Sequence, residues 1–187
     1  IVSVVFSTTI IINERKSNAN IRNVLSKTNG IIFLMSTFLT ILLVVFIQTL
    51  FLMIIASFFL KFSLFSSIFK LILILLLSIS VFTSLGMLIG YLFNSGETAI
   101  IASISISLLL IIFSPLISPL EAMPSLFRLI FSYTPIILIE DILRRILIFE
   151  SSNSGVIINS IALIVTFLIV SAGTILTYYL TRYKEIQ

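Results

Sequence analysis

Four stretches of this chain, 31–60, 71–93, 98–117 and 156–179, contain no Asp, Glu, Lys or Arg. The hydrocarbon layer of a bilayer is about 30 Å thick, so roughly 20 apolar residues of helix are needed to cross it. Each run reaches that length. Unpaired backbone groups are too costly in lipid for anything but helices or closed barrels, and no strand pattern occurs. The 187 residues are 59% hydrophobic and 10% charged, with a mean hydropathy of +1.30, far from the mixture of soluble domains. The sequence therefore predicts an all-α integral membrane protein, a polytopic helical bundle in which residues 1–187 form one transmembrane domain.

The connections order these runs. Residues 1–12 are apolar and are expected to be part of a span. Ile1 stands in mid-run with no Met or basic leader before it, so the chain is expected to continue a longer protein that contributes an earlier span. Residues 31–60 form the first complete span. At 1.5 Å per residue they reach about 45 Å, so this helix has to tilt or protrude. The short links 61–70 and 94–97 make the flanking helices antiparallel neighbours, with Asn94-Ser95-Gly96-Glu97 as a tight polar turn. Residues 13–30 are a longer polar stretch between two spans, with five charged residues.

The basic residues define two sides. Arg15, Lys16, Arg22, Lys27, Arg182 and Lys184 fall on one, and Lys61, Lys70, Arg128, Arg144 and Arg145 on the other. Cytoplasmic loops carry the excess of Lys and Arg, which assigns 13–30, the Asn94 turn and the C-terminus to the cytoplasm of a multi-pass plasma-membrane protein. Eleven scattered basic residues orient such a chain, so no nucleic-acid partner is expected.

Without Cys or His, disulfides, thiolate chemistry and nearly all zinc and haem sites are excluded. Charge-free spans argue against proton relays, ion-coupled symport and voltage sensing. Their polar character comes from hydroxyls and Gln48. These hydroxyls are expected to bond their own or a neighbouring helix, and the sharper alternative is a weakly polar path using Ser103 and Ser107, one turn apart. Gly86 and Gly90 form a GxxxG pair suited to close helix packing. No catalytic residue, metal ligand or cofactor-binding residue is assigned.

Residues 118–154 are too apolar for a plain loop and are expected to form external helices that re-enter the membrane or lie at its surface. After Pro115, Pro119 and Pro124, residues 136–149 place Glu140, Asp141, Arg144 and Arg145 on one strip, each acid four residues before a base. That pairing, in an otherwise apolar helix, suits an interface better than a pair of catalytic carboxylates.

Three segments in order resemble the membrane subunit of type-2 ATP-binding-cassette exporters. Asn13-Glu14-Arg15-Lys16 followed by Ile21-Arg22-Asn23-Val24-Leu25-Ser26-Lys27 is similar to the family's cytoplasmic coupling helix. Leu85 to Asn94, with Glu97-Thr98-Ala99, is similar to its fourth span and the turn into the fifth. Ser118-Pro119-Leu120-Glu121-Ala122-Met123-Pro124, with Pro135 beyond, resembles the short external helices before the last span. The coupling helix departs from the family, which often has Gly near Asn18 and Pro near Thr28.

The resemblance implies a permease that pairs with a second permease subunit, identical or related, and rests on two ABC ATPase subunits. ATP and Mg would be bound by those subunits and none by this chain. Glu14, Arg15, Lys16, Ile21, Arg22, Val24 and Leu25 would then form the ATPase contact, with Ile21, Val24 and Leu25 filling a groove. The cargo would be a lipid, an amphiphilic drug-like molecule or a glycan, moved outward by alternating access. The alternatives are a nucleotide-independent channel or facilitator, and a membrane anchor that transports nothing.

Overall fold

The computed structural model describes residues 2–17, 30–60, 68–114, 132–146 and 153–186, and among these there are only helices and their connecting turns. In chain order they are α1 (Val2–Lys16), α2 (Gly30–Leu60), α3 (Ile68–Leu92), α4 (Gly96–Ile112), α5 (Pro135–Arg144) and α6 (Asn153–Ile186). Three apolar stretches within them, Gly30–Phe59, Ile68–Leu92 and Gly155–Thr181, are long enough to cross a membrane, and Gly96–Ile112 is a shorter apolar helix. The bundle is the helical membrane fold expected from the apolar runs.

Helix α3 is the centre of the bundle. Its buried residues face every direction, from Leu71 and Ile74 through Val81, Phe82, Met87 and Tyr91, and α1, α2, α4, α5 and α6 all pack against it. Between the long helices there is little hydrophobic drive, since lipid tails are as apolar as Leu. Close packing and interhelical hydrogen bonds hold such a bundle instead.

Gly86 and Gly90 show how. Both lie under α1, where a Cβ on Gly86 would run into the Val4 carbonyl oxygen and stand 2.8 Å from Ser7 Cβ, and one on Gly90 would stand 2.8 Å from Ile11 Cβ. The GxxxG pair is the α1–α3 contact. In the space it opens, the Thr8 hydroxyl reaches the Gly86 carbonyl at 2.8 Å. On the other side of α3, Thr174 donates to the Ser84 carbonyl (3.1 Å) and Thr181 to the Tyr91 carbonyl (3.1 Å). Residue numbers rise together along each contact, so α1, α3 and α6 run parallel and end on one side of the bundle. Helix α2 starts at that side, where Thr37 meets Glu14, and α4 starts there after the turn at 93–95, so both run the opposite way.

The polar turn is shorter than 94–97, because Gly96 and Glu97 already belong to the first turn of α4. An acid there suits the positive end of the helix dipole. Helix α4 ends at Ile112, ahead of the residue 117 expected from hydropathy, and a turn at Phe113 and Ser114 leads to Pro115. Helix α1 continues past Ile12 through Asn13, Glu14, Arg15 and Lys16.

Helix α5 is amphipathic. Leu138 packs with Val81 and Leu163, near the middles of α3 and α6, while Ile142 and Ile146 pack with Ile74 and Val156 near their starts. It therefore runs beside α3 and α6 toward the end of the bundle opposite Arg15.

Candidate functional site

The end where α1, α3 and α6 stop together holds the first group of candidate residues. Glu14, Arg15 and Lys16 lie on the last turn of α1, beyond its apolar run, and each turns a different way. Arg15 points into the bundle. Its Nη1 donates to the Phe93 carbonyl (2.9 Å) and the Gly90 carbonyl (3.2 Å), where the last carbonyls of α3 lack helical partners and the dipole favours a cation. Glu14 faces α2, where the Thr37 hydroxyl is shared between its carboxylate oxygens (3.2 and 3.3 Å) and the Phe33 carbonyl (3.2 Å). Burial raises the Glu14 carboxyl above its ordinary range, and the Thr37 bond offsets part of that rise. Lys16 is exposed, with its Nζ beside Gly96 at the start of α4. Glu14 and Arg15 thus tie α1 to α2 and α3, and Lys16 lies beside the start of α4. Ile21, Arg22, Val24 and Leu25, the other expected ATPase contacts, lie outside the described residues.

Two adjoining cavities open at this end. The larger, about 360 Å³, is lined by Arg15, Tyr91, Leu92, Asn94, Thr177, Leu180 and Thr181. The smaller, about 130 Å³, is lined by Ile12, Arg15, Lys16, Phe93 and Asn94. Tyr91 forms the back wall, its ring edge-on to Tyr178 at 5.3 Å.

The opposite end holds the second group. Arg145 Nε donates to Asp141 at 2.7 Å and Arg144 Nη2 to Glu140 at 3.1 Å, the i,i+4 pairs expected from the spacing. Asn159 of α6 donates to the same Asp141 oxygen at 2.6 Å, and the Arg145 guanidinium lies against Gly155, where a Cβ would stand 2.7 Å from it. Asp141 therefore joins α5 to α6 as well as pairing Arg145, a contact with no sequence signal, since no spacing links Asn159 to a carboxylate eighteen residues earlier on another helix. These residues line a third cavity of about 360 Å³. Pro135 is at the first turn of α5, where its missing N–H costs nothing; Pro119, Met123 and Pro124 lie outside the described residues.

Along the spans, most hydroxyls return to a carbonyl three or four residues back on their own helix, as Ser78 does to Ile74 (2.7 Å) and Ser103 to Ile100 (2.8 Å). Ser103 and Ser107 are both buried on the inner face of α4. Among the described residues the Ser107 hydroxyl has no hydrogen-bond partner, and neither does that of Thr83 on α3. The three cavities are lined by other residues.

No curated protein and no solved structure matches this chain. A family does. Its profile, described as ABC-2 family transporter protein, matches residues 1–176, which takes in the polar end of α1, the α3–α4 turn, α5 and α6 as far as Leu176. The chain belongs to the ABC-2 family of transporter proteins.

Proposed function

We propose that this chain is the permease subunit of an ATP-driven exporter, coupled at the polar end of α1 to ATPase subunits carried on separate chains and paired with a second permease subunit. The observation that carries this reading is the way the last turn of α1 is attached. Glu14 holds α2 through Thr37, Arg15 holds α3 through its terminal carbonyls, and Lys16 lies against the start of α4. A displacement delivered just beyond Ser17 would be passed to three helices at once. Alternating access needs such a linkage, because a ligand shifts an equilibrium only through contacts that differ between its two states. ATP, with Mg, would bind to the partner subunits, and residues 13–30 and the C-terminus would face the cytoplasm. The charge-free spans fit a lipid, an amphiphilic drug-like molecule or a glycan on a lipid carrier as cargo.

Co-expression with a candidate ATPase subunit tests the proposal. Leu25→Asp is expected to leave membrane insertion intact while abolishing substrate-stimulated ATP hydrolysis. Normal stimulation in that variant would sink the coupling assignment, and substrate flux without any ATPase would favour a facilitator instead.

A further inference from the structure

Two polar groups on facing surfaces of α2 and α3 are left without partners. On α2, Leu34, Thr37, Ile41 and Val45 are buried and recur in steps of three and four residues, the spacing of one helix face. The next steps along that face are Gln48, Leu52 and Ile55, and none of them is buried, nor is any residue from 46 to 59. On α3, Ile79, Met87 and Tyr91 pack in one cluster with Leu34, Ile41 and Val45. Thr83 stands four residues from Ile79 and from Met87, on that same face, and is fully buried. Among the described residues neither the Gln48 amide nor the Thr83 hydroxyl has a hydrogen-bond partner.

The depth of Gln48 makes its isolation costly. The 31 residues of α2 measure about 46 Å, with Gln48 about 27 Å from Gly30 and about 18 Å from Leu60. A hydrocarbon layer about 30 Å thick takes in Gln48 wherever α2 crosses it, and lipid offers the amide no hydrogen bond. Helices α2 and α3 run in opposite directions from the end where Glu14 holds Thr37 and Arg15 holds the Gly90 carbonyl. Gln48 is eleven residues from Thr37, and Thr83 is seven from Gly90. Along the helix axes they therefore lie about 16 Å and about 10 Å from that end, roughly one turn apart.

We infer that α2 is a lid hinged at its Thr37 end, whose second half closes on α3 so that the Gln48 amide hydrogen-bonds the Thr83 hydroxyl. Closure gives both groups a partner at once and covers Leu52 and Ile55, which are 59% and 39% exposed in the open position. The first half stays in place, fixed by Thr37 and by the packing of Leu34, Ile41 and Val45. The lid needs neither an ATPase nor cargo, so it stands apart from the transport proposal.

Disulfide crosslinking of the full chain in proteoliposomes tests the lid, since the chain has no native cysteine. Leu75, half-buried, lies four residues before Ile79 on the same face of α3. Leu52→Cys with Leu75→Cys therefore reports closure and leaves Gln48 and Thr83 intact. Phe51→Cys with Leu75→Cys, one residue off the α2 face, is the control. On oxidation the first pair is expected to form a disulfide within the chain several-fold faster than the control. Gln48→Leu and Thr83→Val should each remove most of that advantage, and the two together should remove no more than either alone, because they act on one bond. Both replace a polar side chain by an apolar one of similar size, and thermal unfolding checks that the bundle is kept. A first pair no faster than the control would overturn the lid. So would a rate that neither substitution changes, the result for ordinary swaying of α2. A disulfide formed only between chains would also overturn it, and would assign this face of α2 to a second copy.

Discussion

At the scale of single residues, hydroxyl groups separate into those that hold the bundle and those that do not. Thr8, Thr174 and Thr181 each give a hydrogen to a carbonyl of α3, and such interhelical bonds are worth about 0.6 kcal/mol on average inside a membrane protein. Thr83 and Ser107 are buried to a similar degree and give theirs to nothing. A buried hydroxyl left unpaired costs roughly 1–3 kcal/mol, so Thr83→Val and Ser107→Ala are each expected to raise the melting temperature of the purified chain. A fall would mean that these hydroxyls have a partner in the working protein, such as water or substrate. If transport drops in Ser107→Ala while stability rises, the path along α4 gains its first direct support. Ser103 and Ser107 could be placed on one face of α4 from their spacing alone. Ser103 is satisfied by the Ile100 carbonyl of α4 itself and Ser107 is not satisfied among the described residues, a difference that the spacing of the two serines does not encode. Arg15 is similar: its charge was plain in the sequence, but its direction, into the end of α3, was set by carbonyls more than seventy residues away.

At the scale of helices, the three long apolar helices were legible because length and the absence of charge suffice to mark a span. The ends were less so. Polar Asn13 to Lys16 continue α1, since Arg and Lys near a helix C-terminus are favoured by its dipole, and Gly96 with Glu97 begins α4 for the converse reason. The packing of α5 was hidden as well, because an amphipathic pattern names the polar face of a helix and says nothing of which helices its apolar face meets. Gly86 and Gly90 announced a close contact without naming its partner, which is α1. The consequence is specific. Gly86→Ala should lower stability by roughly 1–3 kcal/mol, as overpacking does in tight cores, because the added carbon meets the Val4 carbonyl, which is backbone and cannot turn away. Gly173→Ala should be close to neutral, since its nearest neighbour is the flexible tip of Leu88 at 3.0 Å. Thermal unfolding of both variants checks the contrast, and equal losses would show that the α1–α3 contact has nothing special about it.

At the scale of the whole molecule, the two ends of the bundle are chemically different, and the difference bears on which way energy flows. One end gathers the last turn of α1, the α3–α4 turn and the tail of α6, and its charges reach across to neighbouring helices. At the other, the charges of α5 pair mostly within their own helix, with Asp141 alone bonded to α6. The polar contacts of the first end reach α2 and α3, whereas those of the second link α5 to α6. Such a division of labour requires the first set to share one side of the membrane, which labelling can test in a chain that has no native cysteine. Asn13 and Ser95 are exposed at the first end, and Phe69, 76% exposed, is near the start of α3 at the other. In intact cells an impermeant maleimide should label Phe69→Cys directly and reach Asn13→Cys and Ser95→Cys only after permeabilisation. A reversed pattern would overturn the cytoplasmic assignment of 13–30 and leave the bundle standing. Asn13 and Ser95 reporting opposite sides would contradict the parallel course of α1 and α3, and with it the linkage through which α1 is proposed to act.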